Sequence, residues 1–247
     1  MAILHTSTWN DPAAPPVVCV HGVTAHGGRF RDLAGQLESR RVVAVDLRGH
    51  GRSTWEPPWT LETHLADLLE TADDLDIGAA TWVGHSFGGR LVAELATRSE
   101  RVERAVLLDP AMHIDPAVAA ERAEGLRSDQ SFGSPDEAID ARLTDGTLFT
   151  TPRSVLEEEA DVHLVRGPDG RWRWRFSREA VIAAWDVMAT PSPPWPDCPT
   201  LVVLGARSWI PNRVPRLPHL TSVAVPGGHT VLWDDPGETT AAVAAFV

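Results

Sequence analysis

Short apolar runs recur in the first half of the chain and again near its end, each bounded by glycine, proline or polar residues. Runs of this length and composition indicate buried strands covered on both faces. The run Val17–Val20, for example, follows a proline-rich turn and precedes a histidine and a glycine. The six predicted strands are Val17–Val20, Val42–Val45, Thr81–Val83, Val102–Leu108, Thr200–Leu204 and Thr221–Val225.

Stretches with helical spacing lie between these strands. The stretch Thr60–Leu75 opens with the capping pattern Thr-Leu-Glu-Thr and then carries leucines three or four positions apart. An alternation of strand and helix predicts an α/β fold with a mainly parallel, doubly wound sheet. The predicted core helices are Phe30–Leu37, Thr60–Leu75, Gly88–Arg98 and Thr239–Phe246.

The segment 111–196 interrupts this alternation. Four helices are predicted there, with a hairpin between the third and the fourth. The turn of this hairpin is Arg166–Gly170, and its second strand is the alternating stretch Arg171–Phe176. Alternating Arg and Trp could stack on nucleic acid, but a half-buried strand with a solvated arginine face is favoured. We predict one α/β core, residues 1–110 and 197–247, with 111–196 inserted as a lid. The predicted lid helices are Pro116–Gly125, Pro135–Leu143, Pro152–Leu164 and Ser177–Met188.

Charge and composition narrow the function classes. The formal net charge is −12, which repels nucleic acid and anionic membrane surfaces. The chain contains no Tyr, which excludes a phenol as acid or base. Residues Met1–Asn10 show neither the basic region nor the long apolar region of a signal peptide, and no apolar run approaches the roughly 20 residues that span a bilayer. A cytoplasmic protein is therefore expected. Cys19 and Cys198 are predicted to be free thiols. The oligomeric state is left open.

The motif Gly84–Gly89, Gly-His-Ser-Phe-Gly-Gly, lies between a predicted strand and a predicted helix. This is the context in which G-x-S-x-G marks a nucleophilic serine on a sharp turn. Gly84 and Gly88 leave room for that turn because they lack side chains. The motif predicts Ser86 as a nucleophile, with helix amide groups nearby to stabilise negative charge.

An acyl-transfer enzyme needs two hydrogen-bond donors for the oxyanion. The amide of Phe87, directly after the predicted nucleophile, is one candidate. The amide of Val23, after His21-Gly22 at the end of the first strand, is the second. His21 itself is interpreted as a structural histidine.

The loop Pro226–Gly228 follows the last predicted strand and leads to His229. Glycines there let a loop bring a histidine over the carboxyl edge of the sheet, where ligands bind in open α/β folds. His229 is therefore the predicted general base. The remaining histidines lack the spacing of metal ligands, so neither a metal nor a cofactor is expected.

Five stretches of the chain together resemble the α/β-hydrolase family, in its serine esterase and lipase-like branch. They appear in the family's order and span most of the chain outside the lid: His21-Gly22, Asp46–Ser53, Gly84–Gly89, Leu107–Pro110 and Gly228-His229. The resemblance implies a largely parallel sheet of about eight strands and a triad in the chain order serine, acid, histidine. It also implies that Asp46 and Arg48 support the structure.

The triad acid departs from the commonest family pattern. Many members carry it after the penultimate strand, but Gly205–Pro211 contains no Asp or Glu. The imidazole needs an acceptor to fix its tautomer, and Asp109, at the end of an inner strand, is the favoured candidate. Asp234 and Asp235 are closer in sequence but are predicted to begin the last helix. A dyad without a carboxylate, or with a water in its place, remains an alternative.

A serine with an oxyanion hole makes and breaks acyl-enzymes, so the expected substrate is a small molecule with an apolar group that is a carboxylic ester, with a lipid-like ester, a thioester and a lactone all left open. C–C bond hydrolysis, perhydrolysis and acyl transfer stay open, as does a catalytically weak, receptor-like relative. Apolar residues of the lid are candidates for the cavity entrance, although core packing is the commoner role for each. These candidates are Met112, Phe149, Trp172, Trp174, Trp185 and Trp195.

Overall fold

The computed structural model describes residues 1–145, 148 and 150–247. Its main sheet has seven strands in the order β1-β3-β2-β4-β5-β8-β9, and all neighbours are parallel except β1 and β3. The strands in the described part of the chain are β1 (Thr6–Trp9), β2 (Pro16–Val20), β3 (Arg41–Val45), β4 (Ala80–His85), β5 (Val102–Leu108), β6 (Leu164–Arg166), β7 (Trp172–Trp174), β8 (Thr200–Gly205) and β9 (Leu220–Val225). The predicted α/β fold with a mostly parallel sheet and all six predicted strands are confirmed.

The edge strand β1 was not predicted. It pairs antiparallel with β3, with Thr6 opposite Val45. None of its four residues is fully buried, so it lacks the continuous apolar signal of the inner strands. With β1 included, the sheet has seven strands among the described residues, against the roughly eight that the family resemblance implies.

Helices cover both faces of the sheet. Several of them begin with a side-chain cap; the Thr60 hydroxyl, for instance, accepts a hydrogen bond from the Thr63 amide at the start of α2. The helices of the described residues are a 3-10 helix (Gly27–Phe30), α1 (Arg31–Gln36), α2 (Leu61–Asp74), α3 (Phe87–Ala96), α4 (Pro116–Gly125), α5 (Pro135–Thr144), α6 (Arg153–His163), α7 (Arg178–Met188), α8 (Val231–Asp234) and α9 (Pro236–Phe246).

Alternating strand residues feed two apolar cores. In β2, Val18 and Val20 pack with Trp82 under α2 and α3, whereas Val17 and Cys19 pack on the opposite face with α1 and α9. Because both faces are covered, every residue of β4 is buried. Both cysteines are free thiols, and burial raises the pKa of each.

The insertion, residues 111–196, lies between β5 and β8. Helices α4 and α7 pack on the main core, while α5, α6 and the β6–β7 hairpin form a smaller apolar cluster of their own. In the hairpin, Leu164 is opposite Trp174, which is buried. Arg173 instead pairs with Asp169 at the surface, so the strand is half-buried with a solvated arginine face, as predicted. No helix in the described ranges is long and apolar enough to cross a bilayer.

Candidate active site

Ser86 occupies a strained turn between β4 and α3. Its φ of 55° lies in the left-handed region, which is uncommon for residues other than glycine. The turn also needs close backbone approach: a Cβ at Gly84 would lie 2.3 Å from the Gly88 carbonyl oxygen, and one at Gly88 would lie 2.2 Å from the Val20 carbonyl oxygen. The chain folds this way because both positions are glycine, as the sequence predicted.

His229 faces Ser86 from the loop after β9. Its Nε2 atom lies 2.9 Å from the Ser86 Oγ, and only 8% of the residue is exposed. The loop is held by His85, whose Nε2 is 3.0 Å from the His229 carbonyl oxygen. Burial lowers the pKa of His85 to about 3, so this ring is neutral and donates an N–H to that carbonyl. Sequence reasoning did not find this support, because it is a contact across 144 residues.

Asp109 follows β5 and is buried against the far nitrogen of His229. Its Oδ2 lies 2.6 Å from His229 Nδ1, and its φ of 40° is again left-handed. With Nδ1–H donating to the carboxylate, Nε2 is free to accept the Ser86 proton. The structure thus brings the three predicted residues, Ser86, His229 and Asp109, into one chain of hydrogen bonds.

The loop Gly205–Pro211, which lacks an acidic residue, also reaches this site. The Ser208 hydroxyl donates to Asp109 Oδ2, the same oxygen that contacts His229, and the Gly205 amide lies 3.2 Å from Oδ1. Asp109 therefore has hydrogen-bond partners on both oxygens. Sequence reasoning missed Ser208, since a hydroxyl in a loop without acid is a weak signal.

The two alternative acids lie elsewhere. Asp234 accepts hydrogen bonds from the hydroxyls of Thr150 and Thr151, each at 2.6 Å, and from the Gly228 amide at 2.9 Å. Asp235 caps α9 by accepting from the Glu238 amide. Neither carboxylate bonds to the His229 ring.

The two predicted oxyanion donors flank Ser86. Phe87 is the first residue of α3, where helix amides have no partner within the helix. Val23 follows β2 and lines the same cavity as Ser86. The neighbouring His21 is buried, with its Nε2 accepting from the Leu47 amide at 2.9 Å, and burial lowers its pKa well below the ordinary value. These contacts fit the structural role predicted for His21.

Asp46 and Arg48 act in packing away from the reacting atoms. The Asp46 carboxylate accepts from the Gly27 amide at 2.7 Å and the Arg52 amide at 2.9 Å. Arg48 donates to both oxygens of Asp67, at 2.7 and 2.9 Å. Both networks tie the loop after β3 to its neighbours.

A cavity of about 430 Å³ opens above Ser86 and His229, between the sheet edge and the insertion. Its wall is mostly apolar and includes Trp174 and Trp185 of the predicted entrance residues. Met112 and Trp195 pack in the main core and Trp172 against the insertion's own cluster, while Phe149 lies outside the described residues. Within the described ranges, no group of three His, Cys, Asp or Glu residues is arranged to hold a metal.

Comparisons with known proteins agree with this fold. A family model described as the alpha/beta hydrolase family matches residues 17–243. Lipase LipV of Mycobacterium tuberculosis is 36% identical over 187 residues, covering 75% of this chain and 71% of that protein. The sn-1-specific diacylglycerol lipase ABHD11 of Mus musculus is 30% identical over an alignment of 257 residues, covering 96% and 82%. The enol-lactonase from Burkholderia xenovorans LB400 has a similar structure, with a TM-score of 0.79 and 22% identity over 98% of this chain and 95% of that one.

Proposed function

This chain belongs to the alpha/beta hydrolase family, and we propose that it is a serine hydrolase that cleaves carboxylic esters through an acyl-enzyme on Ser86. The observation that carries the proposal is the continuous chain of hydrogen bonds from Ser86 through His229 to Asp109 at the floor of a largely apolar cavity. An activated hydroxyl in such a place is suited to acyl transfer.

In the first step, Ser86 Oγ attacks the ester carbonyl carbon while His229 Nε2 takes the hydroxyl proton. The imidazolium that forms is stabilised by Asp109, which stays ionised. The carbonyl oxygen becomes an oxyanion, for which the amides of Val23 and Phe87 are the proposed donors. Collapse of this intermediate expels the alcohol, which leaves with the proton from His229.

In the second step, water attacks the acyl-enzyme. His229 accepts a proton from that water as its oxygen bonds to the acyl carbon, and the same two amides stabilise the second oxyanion. Breakage of the acyl–Ser86 bond returns the proton to Oγ and releases the carboxylic acid. Both steps use the same three side chains, and His229 alternates between base and acid.

The insertion, residues 111–196, is proposed to act as the lid that sets substrate choice. Its side chains supply much of the apolar wall, including Trp174, Trp185 and Met188. Burial of an apolar acyl or alcohol group against such a wall is favourable, at about 25 cal/mol per Å². The relatives named as lipases support an apolar ester as the substrate class.

Two measurements test the proposal. A fluorophosphonate probe should label the wild-type protein on Ser86 and leave the Ser86→Ala variant unlabelled. The control is Ser222→Ala, which changes an exposed serine of β9 and should be labelled to the same extent as the wild type. A series of p-nitrophenyl esters of rising chain length should be hydrolysed by the wild type, with turnover reduced by about five orders of magnitude in Ser86→Ala.

Two results would contradict the proposal. Absence of a Ser86 adduct in folded wild-type protein would favour a receptor-like role. Normal labelling with background hydrolysis across the whole ester series would instead direct attention to C–C cleavage, perhydrolysis or acyl transfer by the same residues.

A further inference from the structure

Charged side chains line part of the otherwise apolar cavity above Ser86. Arg29 comes from the 3-10 helix after β2, and Arg142 comes from the last turn of α5 in the insertion. The other charged groups of the wall are Glu121, Arg122 and Asp145. These charged groups differ in whether they have hydrogen-bond partners within the protein or are available to a ligand.

Arg29 is paired within the protein. Its Nε and one terminal nitrogen donate to Glu159 Oε1 at 3.1 and 2.9 Å, and its guanidinium lies 3.9 Å from the ring centre of Trp233. Arg122 is held in part, because it donates to the Asp145 carbonyl oxygen at 3.0 Å. Glu121 extends to the exposed surface of α4.

Arg142 differs from these neighbours. Its Nε is buried and has no hydrogen-bond acceptor among the described residues, although only 13% of the side chain is exposed. The Asp145 carboxylate forms a long ion pair with this guanidinium, with its Oδ2 4.0 Å from Nε, which is beyond hydrogen-bonding distance. Trp174 lies beside the guanidinium, 5.5 Å from it, and orients it without accepting a conventional hydrogen bond. A buried charged donor without an acceptor is costly, and the described residues provide none for this nitrogen, which favours an acceptor supplied by a ligand.

The proximity of the two arginines points the same way. Burial lowers the pKa of Arg29 to about 10; the charge of Glu159 opposes this, and the positive charge of Arg142 adds to it. Arg142 is therefore close enough to repel Arg29 across poorly solvated space. A negative group in the cavity would relieve that repulsion and would also provide an acceptor for the Nε of Arg142.

We infer that Arg142 is an anion-recognition residue and that the preferred ester carries a carboxylate on an apolar stem, away from the bond that is cleaved. The planar guanidinium matches a carboxylate through two parallel hydrogen bonds. A singly charged carboxylate fits better than a doubly charged phosphate, because the wall is mostly apolar and the formal net charge of the protein is −12. This inference rests on the proposed ester hydrolysis and names its substrate class.

The test compares esters that differ only in a terminal carboxylate or the isosteric carboxamide. One pair places this group on the acyl side: the p-nitrophenyl monoester of glutaric acid and that of glutaramic acid. The other pair places it on the alcohol side: the acetyl esters of 4-hydroxyphenylacetic acid and 4-hydroxyphenylacetamide. In at least one pair, wild-type kcat/KM should favour the carboxylate by about tenfold or more, as expected for hydrogen bonds to a charged group.

Variants assign this preference to one side chain. Arg142→Gln should bring the carboxylate-to-carboxamide ratio close to one, and Arg142→Lys should keep part of it. The matched control is Arg153→Gln, which removes the same charge from the insertion surface, where Arg153 pairs with Asp136 and Glu157 outside the cavity. This control should keep the wild-type ratio. Thermal melts establish that each variant is folded.

Each outcome decides between the two proposals. Equal hydrolysis of both members in both pairs by the wild type overturns the anion site but leaves the serine hydrolase intact. A wild-type preference that survives in folded Arg142→Gln also overturns the assignment. Absence of hydrolysis in all four esters, by contrast, counts against the ester hydrolase itself. Should Arg142→Gln fail to fold, the wild-type ratio and the Arg142→Lys variant carry the decision.

Discussion

The sheet edge and the insertion contribute to one cavity by different physical means. At the sheet edge, backbone bonds fix the residues that we propose to react: the Ser86 amide donates to the Leu108 carbonyl at 3.0 Å, and the Asp109 amide donates to the Val203 carbonyl at 2.7 Å. In the insertion, the position of the wall depends on long side chains, such as Arg29 of the core bonded to Glu159 of α6. The first kind of contact has few rotatable bonds and the second has many.

This difference suggests that the sheet edge determines turnover and that the insertion determines substrate preference. Ser86 and Asp109 both have positive φ angles at the ends of adjacent strands, and strain of this kind persists only where the surrounding structure holds it. A substitution at the sheet edge should therefore change turnover, whereas one between the insertion and the core should change stability or substrate preference. The following predictions test that division.

The largest effect after loss of the nucleophile is expected for Asp109→Asn. Asn tolerates the left-handed backbone but cannot hold His229 in the required tautomer, so kcat should fall by about 10⁴. Asp235→Asn is the matched control, because this residue only caps α9. Steady-state kinetics with an ester substrate measure both; turnover near the wild-type value in Asp109→Asn would remove Asp109 from the triad.

A smaller effect, on stability, is expected for Glu159→Gln. The substitution leaves the buried Arg29 without its ion-pair partner, and the free energy of unfolding should fall by about 3 kcal/mol. Urea denaturation measures this free energy of unfolding. The control is Glu158→Gln, which changes an exposed residue of the same helix and should stay within about 0.5 kcal/mol of the wild type.

The pH dependence of this difference is also defined. Burial alone would raise the pKa of Glu159. Arg29 and His26 have the opposite effect and outweigh burial, so the pKa of Glu159 lies below its usual range. A carboxylate with a lowered pKa stabilises the fold above its unfolded pKa, about 4.3, and loses that contribution as the pH falls. The gap between wild type and Glu159→Gln should therefore shrink below about pH 4. A gap that is constant down to pH 2 would show that the ion pair is not its cause.

The smallest effect is expected for Ser208→Ala. Loss of one hydrogen bond to the Asp109 carboxylate should lower kcat about tenfold and leave KM within about twofold, because Ser208 acts through Asp109 and does not contact the substrate. Ser208→Thr, which keeps the hydroxyl, should recover most of the activity, and Ser222→Ala should match the wild type. A change confined to KM would indicate that Ser208 acts on substrate binding.

The buried strands were predictable because strands covered on both faces appear as continuous apolar runs. Strand β1 gave no such signal, since all four of its residues are at least partly exposed. The position of Asp109 could be predicted by combining two facts: parallel strands end at one edge, and Gly205–Pro211 has no acid. The principal site residues therefore follow from local motifs and topology.

The supporting residues could not be found in this way. Ser208 and Asp109 are 99 positions apart, and Arg29 and Glu159 are 130 apart. No local pattern encodes such a pairing, because each member alone looks like an ordinary polar residue. The same holds for Arg142, whose proposed role depends on the lack of an acceptor for its Nε among the described residues.

Asp234 links the two regions through hydrogen bonds. One carboxylate oxygen binds both the Thr150 hydroxyl and the Gly228 amide, while the other binds the Thr151 hydroxyl. Gly228 directly precedes His229, so we expect a displacement of Thr150 to pass through a single carboxylate to the peptide of the proposed base. We therefore expect the alignment of Ser86 and His229, the proposed proton-transfer pair, to be sensitive to strain where the insertion meets the core. A chimera that exchanges this segment should preserve both threonine hydroxyls to keep that alignment.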